Sequence, residues 1–328
     1  MRITVLSGGI GGARFLAGLR DAIGTGPDHV VTVIGNTADD VWMFGLRICP
    51  DLDTVMYTLG GGIDADRGWG RSDETWQAKE ELAAYGVEPT WFGLGDRDLA
   101  THVVRTQMLG AGYPLSQVTE ALCARWKPGV RLIPMTDDRV ETHVVIDDAE
   151  GAGGRRAVHF QEYWVRLHAP AAHSVVAVGA EDSAPAPGVI EAIDQADVVI
   201  VPPSNPVVSV GTILSVPGIA DAVRRTTAAV VGVSPIIAGA PVRGMADKLL
   251  PAIGVDVTAR AVGEHYGSRA HGGLLDGWLV DEADAADVEE LVAKDVPARA
   301  VPLYMTTPPA AKALAQHALE MASSVHRP

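Results

Sequence analysis

Four glycines near the N-terminus form a segment that can approach a phosphate group closely. Gly8, Gly9, Gly11 and Gly12 follow an apolar run at residues 2–6. Without β-carbons they let the backbone pass close to a diphosphate, and the N–H groups of a following helix can face its negative charge. The segment lacks the Lys-Ser/Thr of a P-loop, which disfavours ATP hydrolysis of that type. The alternative is a tight strand-to-helix turn that binds no ligand.

Two adjacent aspartates, Asp39 and Asp40, follow the second apolar run of the chain. Adjacent carboxylates near a phosphate require a cation, because the like charges otherwise repel each other. Mg²⁺ accepts one or two carboxylates together with phosphate oxygens. Asp53 can supply another ligand or hold a substrate hydroxyl. The pattern is equally compatible with helix capping by these aspartates.

A third polar stretch lies beside aromatic residues, between Trp91 and His102. Arg97 can clamp a planar or anionic substrate, and Asp96 or Asp98 can bind hydroxyl groups. The alternative for this stretch is that Asp98 caps a helix while Arg97 forms an ion pair at the surface. Both interpretations stay open at this point.

Two later loops carry further candidate contacts. Ser204 and Asn205 follow a continuous apolar run, and Ser209 opens the next helical pattern. Their side chains can bind a base, a ribose or a phosphate, or can cap a helix. Arg243 and Lys248 can neutralise phosphates, or can be exposed, solvated charges.

The elements that must position these residues follow an α/β pattern. The chain opens as strand, glycine turn, helix and strand, which is a βαβ crossover. We therefore predict a Rossmann-like, mostly parallel sheet flanked by helices. In such sheets ligands bind beyond the carboxyl ends of the strands, so the glycine, aspartate and Ser204 loops should meet in one crevice. The predicted strands are 2–6, 30–34, 131–134, 142–146, 157–160, 196–201, 228–233 and, more weakly, 255–261.

The middle of the chain differs from the rest. Residues 64–130 carry most of the tryptophans and are predicted to be mainly helical, with Ser116 as an N-cap. We predict a helical insert or lid that contributes to the acceptor site, placed in a core of residues 1–63 and 131–328. Residues 147–151 are predicted to form a hairpin-like turn. Residues 284–294 and 308–321 are predicted amphipathic helices, with Thr307 capping the second.

Composition excludes several classes of protein. The 328 residues carry a net charge of −15, whereas a nucleic-acid partner requires a basic face. Cys49 and Cys123 form no CxxC pattern, which favours reduced thiols over a zinc site or a disulfide framework. From the sequence we expect no signal peptide, and we find no apolar run long enough to cross a membrane. We expect a cytoplasmic protein with no membrane partner.

Taken together, these motifs resemble one family over nearly the whole chain: the CofD/FbiA group, the 2-phospho-L-lactate or phosphoenolpyruvate transferases of coenzyme F420 biosynthesis. The number and order of the motifs make the resemblance specific. They are Ser7-Gly8-Gly9 with Gly11-Gly12, Gly35-Asn36-Thr37-Ala38-Asp39-Asp40, Pro50-Asp51-Leu52-Asp53-Thr54, Leu94-Gly95-Asp96-Arg97-Asp98 with Ala100-Thr101-His102, Leu132-Ile133-Pro134-Met135-Thr136-Asp137, Pro203-Ser204-Asn205-Pro206, and Ser234-Pro235-Ile236-Ile237.

The resemblance implies a reaction. The acceptor is the deazaflavin Fo (7,8-didemethyl-8-hydroxy-5-deazariboflavin), and the donor is guanosine diphosphate with enolpyruvate or lactate on its distal phosphate. The terminal hydroxyl of the Fo side chain attacks that phosphate, GMP leaves, and dehydro-F420-0 or F420-0 forms. The cofactor implied is Mg²⁺, and a homodimer is expected. The residue usage is typical of a GC-rich genome, which indicates an actinobacterium. Because family members from actinobacteria resemble enolpyruvyl transferases, this favours the enolpyruvyl donor.

The resemblance also implies roles for individual residues. Asp39 and Asp40 face the metal or the attacking hydroxyl, and Asp53 is a further metal ligand. We predict that Asp40→Asn keeps the fold but removes most turnover, and that Arg97→Ala raises the Michaelis constant for Fo. The donor is held by Gly8, Gly9, Gly11, Gly12, Asn36, Thr37, Ser204, Asn205 and Ser209, and Fo by Asp53, Thr54, Trp91, Asp96, Arg97 and Asp98, with Trp76 as a further cover for its ring.

Two other functions are compatible with part of the pattern. A non-catalytic regulator of the same fold that binds a nucleotide sugar would keep the glycine segment but need no deazaflavin site. The polar stretch between Leu94 and His102 argues against it. A nicotinamide-dependent dehydrogenase is weaker still, because the glycines depart from GxGxxG and no acidic residue ends the second strand.

Overall fold

A computed structural model describes residues 1–24, 26, 28–148 and 152–325. The strands in chain order are β1 (Arg2–Ser7), β2 (Val30–Gly35), β3 (Val41–Met43), β4 (Leu46–Ile48), β5 (Arg131–Pro134), β6 (Glu141–Asp147), β7 (Arg155–His159), β8 (Ala172–Val178), β9 (Val198–Val201), β10 (Ala229–Val233), β11 (Ile236–Ile237), β12 (Ala240–Pro241), β13 (Gly277–Val280) and β14 (Ala298–Ala300).

The α-helices are distributed along the whole described chain. In chain order they are α1 (Gly9–Ile23), α2 (Pro50–Leu59), α3 (Gln77–Ala84), α4 (Asp98–Gly110), α5 (Leu115–Trp126), α6 (Val189–Asp194), α7 (Val210–Ser215), α8 (Ile219–Arg225), α9 (Ala246–Leu249), α10 (Ala259–Tyr266), α11 (Asp287–Ala293) and α12 (Pro308–Ser324). None of the helices in the described residues has the length and apolar character needed to cross a bilayer.

A seven-stranded parallel sheet forms the centre of the protein. Its spatial order is β14-β13-β10-β9-β1-β2-β5, and every neighbouring pair is parallel. Strands β9, β10 and β13 are buried along their whole lengths, as expected when helices cover both faces of a parallel sheet. The predicted fold class is therefore confirmed.

Two apolar cores lie on the two faces of this sheet. One contains Phe15 and Leu16 of α1, Met56 of α2 and Leu314 of α12. The other joins α6, α7, α8 and α10 to an antiparallel sheet of order β7-β6-β8. Gly18 allows α1 to lie against α12, since a β-carbon there would sit 2.2 Å from the carbonyl oxygen of Ala311. The packing of these helices fixes the start of α1, where the glycine segment lies.

Most predicted strands are confirmed, but the weak one at residues 255–261 is wrong. The side chain of Thr258 accepts a hydrogen bond from the N–H of Ala261, and α10 begins at Ala259. This N-cap ends the β-branched run before it can extend a strand. Residues 149–151 of the predicted turn lie outside the described residues, and the strands on either side of it pair antiparallel.

Helix boundaries were predicted less well than strands. Helix α5 begins at Leu115 with Pro114 as N-cap, so Ser116 is not the cap. The hydroxyl of Ser116 instead donates to Asp137 Oδ2 at 2.8 Å. The predicted helix at 284–294 is shorter, because a separate 3₁₀ turn at 282–284 precedes α11. Thr307 does cap α12, as predicted.

Residues 64–130 contain α3, α4 and α5, but these helices differ in their packing. No residue of α3 is buried. The apolar face of α5, which includes Val118, Leu122 and Trp126, belongs to the same core as α1 and α2. The division into a core and an insert stays a prediction, with α5 bound tightly to the core.

Candidate active site

The carboxyl ends of the central strands open into a cavity of about 760 Å³. The three loops predicted to meet do so here: Gly8–Gly11 after β1, Asp39 after β2, and Pro203–Asn205 after β9. Asp51, Asp53 and Thr54 of α2 complete one wall, since α2 begins at Pro50 directly after β4. This volume lies within the range of about 300–1,000 Å³ that is usual for small-molecule and cofactor sites.

The glycine segment packs against the Ser204 loop. The N–H of Gly8 donates to Ser204 Oγ at 3.2 Å, and the N–H of Gly9 donates to Asp51 Oδ1 at 2.8 Å. A β-carbon at Gly11 would lie 2.3 Å from the carbonyl oxygen of Pro203, and one at Gly12 would lie 2.2 Å from Ser7 Oγ. Gly11 and Gly12 are therefore required by close packing, while Gly8, Gly9 and Gly11 also line the cavity.

Asn36 and Thr37 lie behind the cavity wall. Asn36 is fully buried and donates through Nδ2 to Asp51 Oδ2 at 2.9 Å and to the carbonyl oxygen of Val208 at 3.1 Å. Thr212 donates to its Oδ1 at 2.8 Å. Asn36 thus ties the end of β2 to α2 and to the loop after β9. Contact with the donor was predicted for both residues and stays a prediction.

The Ser204 loop is held by its own side chains. Ser204 Oγ donates to the carbonyl oxygen of Gly8 at 2.7 Å, and Asn205 Oδ1 accepts from the N–H groups of Val207 and Val208. Ser204, Asn205 and Ser209 all line the cavity. Asn205 therefore caps the turn before α7, whereas Ser209 forms no side-chain capping bond. Contact of these three residues with the donor stays a prediction.

Asp39 and Asp51 form a carboxylate pair at the glycine segment. Asp39 is buried, lines the cavity, and its Oδ1 has no hydrogen-bond partner among the described residues. Burial, and then the neighbouring charge of Asp51, raise the pKa of Asp39 well above its usual value. Burial raises the pKa of Asp51 to about 6, opposed by hydrogen bonds from Asn36 and Gly9. Such a pair is suited to bind a cation or a proton.

The side chain of Asp40, unlike that of Asp39, does not face the cavity. It is fully buried, forms an ion pair with Arg47 at 3.1 Å, and does not line the cavity. Burial raises its pKa to about 6 against the charge of Arg47. Asp40 therefore contributes an internal ion pair in this structure, whereas its neighbour Asp39 faces the site.

A buried polar array lies where α2 contacts α4. Arg105 donates to Asp53 Oδ1, and its Nη1 lies 3.1 Å from His102 Nδ1. Because a guanidinium only donates, Nδ1 must accept, and the neutral imidazole then carries its proton on Nε2. Tyr57 donates to Asp98 Oδ1 at 2.5 Å.

Two atoms of this array are unpaired at the cavity wall. Asp53 Oδ2 and His102 Nε2 are buried and have no hydrogen-bond partner among the described residues. Nε2 lies 3.4 Å from Asp98 Oδ2 without forming a hydrogen bond. One atom accepts and the other donates, so together they can bind a hydroxyl group of a ligand. Thr54, Asp98 and Tyr57 line the same wall.

Three predicted acceptor contacts, Trp91, Asp96 and Arg97, do not line the cavity in this structure. Asp96 accepts from the N–H groups of Gln77 and Ala78 and so caps the start of α3. The Arg97 side chain is 51% exposed and lies 3.6 Å from Asp73, so the surface alternative describes it. Trp91 packs edge-on against Phe92 at 5.8 Å. Phe92, and not Trp91, faces the cavity.

Several lining residues were missed by the sequence interpretation. Trp164 and His168 reach the cavity from a π-helical turn at residues 162–166 and the loop after it. Gln161 in the same segment donates to the carbonyl oxygen of Asp39 at 3.0 Å. Trp69 and Arg14 also line the cavity. The half-exposed tryptophans provide flat apolar surfaces, but nothing in the local sequence distinguishes them from core residues.

The predicted metal ligands Asp39, Asp40 and Asp53 do not act as a set. Asp40 is bound to Arg47 and Asp53 to Arg105, and no group of three or more His, Cys, Asp or Glu residues in the described chain is arranged to hold a metal ion. Asp39 with Asp51 does fit Mg²⁺, which commonly takes one or two carboxylates and completes its shell with water and phosphate oxygens.

Comparison with known proteins identifies the relatives of this chain. Residues 3–317 match the family described as 2-phospho-L-lactate transferase CofD. The phosphoenolpyruvate transferase of Streptomyces griseus subsp. griseus is 66% identical over 326 residues, 99% of each chain. That of Mycolicibacterium smegmatis is 60% identical over 329 residues, 98% of this chain and 99% of the relative.

A solved structure matches the fold. The crystal structure of a member of the UPF0052 family from Bacillus halodurans superimposes with a TM-score of 0.62 at 17% sequence identity, covering 97% of this chain and 98% of the other. At that identity the match supports the Rossmann-like architecture only.

Proposed function

The chain belongs to the CofD family of 2-phospho-L-lactate transferases, and on that premise we propose that it transfers a phosphoenolpyruvyl group from a guanosine diphosphate-linked donor to the deazaflavin Fo. The family membership establishes a transferase of the phosphoenolpyruvate or 2-phospholactate type in F420 biosynthesis. Relatives at 60–66% identity carry the name phosphoenolpyruvate transferase, which supports the enolpyruvyl donor ahead of the lactyl one.

One observation carries the proposal. A single cavity holds the Asp39–Asp51 carboxylate pair beside the glycine segment and, on the same wall, the unpaired atoms of Asp53 and His102. The first group suits a metal-bound phosphate, and the second suits a hydroxyl-bearing molecule. Two substrates of those classes can therefore lie side by side, as a group transfer requires.

The chemistry follows from these positions. The terminal hydroxyl oxygen of the Fo side chain forms a bond to the distal phosphorus of the donor, and the bond from that phosphorus to the bridging oxygen breaks, releasing GMP. Asp39 and Asp51 would hold Mg²⁺, which supplies positive charge to the phosphate oxygens when it is bound. Asp53 Oδ2 accepts the hydrogen bond, and then the proton, of the attacking hydroxyl, while His102 Nε2–H orients the same side chain.

The charge on the acceptor side also fits this role. Burial raises the pKa of Asp53, against the charge and the hydrogen bond of Arg105. A carboxylate with a raised pKa accepts a proton more readily. In phosphoryl transfer the protein mainly positions the groups and neutralises charge, so holding the hydroxyl in place is the larger contribution.

Equilibrium binding of Fo tests the proposal. The intrinsic fluorescence of Fo is followed as the purified protein is added, with and without GDP and Mg²⁺. We expect saturable binding that GDP and Mg²⁺ strengthen. A folded protein that binds GDP or a nucleotide sugar but not Fo would contradict the proposal and support the regulatory alternative.

A homodimer and a cytoplasmic location complete the proposal. Both come from the family resemblance and the composition. Light scattering during size-exclusion chromatography measures the first: we expect a mass of about twice the 34.4 kDa of the chain.

A further inference from the structure

The cavity has an unequal distribution of charge. Four aspartates line it: Asp39, Asp51, Asp53 and Asp98. Among the described lining residues, only Arg14 and Arg243 carry a permanent positive charge. The proposed donor is itself anionic on both phosphates and on the carboxylate of the transferred group. These two arginines are therefore the fixed cations that can attract it.

Arg14 lies in the second turn of α1, which begins at Gly9. Long helical side chains point back toward the helix N-terminus, so Arg14 extends toward the glycine segment, where the helix dipole is positive. Arg14 is half-buried and forms no ion pair or side-chain hydrogen bond within the described part of the chain. The Arg14 guanidinium therefore has no charged partner until an anionic ligand binds beside it, and the ion pair formed then favours binding.

Arg243 approaches the same helix end from the other side. Its Nη2 donates to the carbonyl oxygen of Arg67 at 2.5 Å. A β-carbon added at Gly68 would lie 2.9 Å from Arg243 Nη1 and 3.2 Å from Ile10 Cγ2. The guanidinium of this exposed residue thus lies next to the first turn of α1. Burial, and then the charge of Arg243, lower the pKa of Arg14, as expected for two cations close together.

The parts of the donor can be assigned by elimination. Its phosphates are accommodated by a cation on Asp39 and Asp51, next to the positive end of the α1 dipole. Its carboxylate is repelled by the wall formed by Asp53 and Asp98. Guanidinium groups bind carboxylates with paired, charge-assisted hydrogen bonds. Arg14, which has no side-chain partner among the described residues, and Arg243, whose guanidinium keeps further N–H donors beside its bond to Arg67, are the remaining site for that group.

We infer that Arg14 and Arg243 together bind the carboxylate of the group that is transferred, and so select a donor whose transferred group is acidic. This inference rests on the proposed function. It assigns a specificity role to Arg14, which the sequence interpretation did not consider, and a defined ligand to Arg243.

The test removes the arginine charge from the protein and, separately, the carboxylate charge from the donor. The two donors are the enolpyruvyl ester of guanosine diphosphate and the same ester with its carboxylate replaced by a carboxamide. The proteins are the wild type, Arg14→Gln, Arg243→Gln and a control, Arg224→Gln. Arg224 is exposed, pairs with Asp221 at 2.9 Å and does not line the cavity. Thermal melting checks that each variant is folded.

The expected result is a loss that depends on the carboxylate. Each glutamine variant of the pair should lower kcat/KM for the carboxylate donor by about tenfold or more, the size expected for a charged hydrogen bond. Its kcat/KM for the carboxamide donor and its dissociation constant for GDP should change by less than about threefold, because neither ligand has the carboxylate. The control should match the wild type with both donors.

Other results would overturn the inference. Equal losses with both donors and with GDP would mean that the arginines bind phosphate, and no loss with either donor would mean that they bind neither group. In both cases a wild type that still transfers to Fo leaves the proposed function intact. A folded wild type that transfers neither donor to Fo would contradict the proposed function and this inference with it.

Discussion

Asp39 and Asp40 are adjacent in the chain, but their carboxylates have different environments. Asp39 faces the cavity beside Asp51, and Asp40 is paired with Arg47 in the interior. The sequence interpretation treated the two as one unit because it had no means of knowing the direction of each side chain. The structure therefore changes what each substitution should do.

Asp39→Asn should keep the fold and remove most activity. The substitution removes one proposed metal ligand and relieves the repulsion with Asp51, so stability should not fall. We expect kcat to fall by about a hundredfold or more, the size of losing one preorganised electrostatic contact. Activity is measured against Mg²⁺ concentration, with the exposed Asp221→Asn as a control. Normal turnover with unchanged Mg²⁺ dependence would contradict the role of Asp39.

Asp40→Asn should instead destabilise the protein. It leaves the buried Arg47 without its partner, and breaking a buried ion pair in this way costs about 3–5 kcal/mol. The free energy of unfolding is measured by urea denaturation. This expectation replaces the prediction from sequence that the variant folds normally. A variant of unchanged stability that has lost its turnover would restore a catalytic role for Asp40.

Asp51→Asn should change how stability depends on pH. The pKa of Asp51 is raised from 3.8 to about 6, so between those values the folded protein keeps a proton that the unfolded chain releases. The protonated Asp51 carboxyl therefore contributes to the stability of the folded protein below about pH 4, and this contribution is lost as the pH rises through 6. The unfolding free energy of the wild type, relative to the variant, should therefore fall by up to about 3 kcal/mol from pH 4 to 7. If the unfolding free energies of the wild type and of Asp51→Asn change in parallel with pH, Asp51 does not titrate in this range.

At the scale of elements, the site depends on how closely the start of α1 approaches the loop after β9. A β-carbon at Gly11 would meet a backbone carbonyl, which cannot rotate away as a side chain can. The contact therefore sets the width of the cavity between the two loops. The glycines were predicted to matter for phosphate binding, and the structure adds this packing requirement.

Gly11→Ala should weaken nucleotide binding. The methyl group forces α1 and the Pro203 loop apart, and we expect the dissociation constant for GDP to rise by about tenfold or more, as for overpacking that costs 1–3 kcal/mol. Gly110→Ala is the control, because a β-carbon there meets no atom within 4 Å. Isothermal titration calorimetry measures both variants. Equal affinities for GDP in the two variants would contradict the packing requirement.

The acceptor wall is also a property of two elements, α2 and α4. The spacing of Asp98, His102 and Arg105 places them along one face of α4 toward Asp53 and Tyr57 of α2. The sequence indicated Asp53 and Asp98 as acceptor contacts, and both line the cavity. It did not indicate Arg105, because a buried arginine can be recognised only once the helix that faces it is known.

At the scale of the whole molecule, topology was more predictable than the residues of the site. The parallel strands are continuous apolar runs that end in polar loops, and the carboxyl ends of parallel strands meet at one edge of the sheet. That rule alone predicts one crevice for Gly9, Asp39 and Ser204, and all three line the cavity. It depends only on the order and polarity of the segments.

The remaining lining residues depend on tertiary packing. Trp164 and His168 come from a turn after β7, and Arg243 comes from a loop after β12. Their side chains reach the cavity through the way these segments fold back over the central sheet, which no local pattern specifies. Asp96 shows the converse case: its local sequence suits a binding residue, but its carboxylate caps α3.

A transfer assay tests the central claim most directly. Purified protein is incubated with Fo, Mg²⁺ and the guanosine diphosphate ester of enolpyruvate. The products are separated by chromatography and their masses are measured by mass spectrometry. We predict that Fo gains the phosphoenolpyruvyl group through a new phosphodiester and that one GMP appears for each Fo consumed. Unchanged Fo in the presence of a folded protein that binds GDP would contradict the claim.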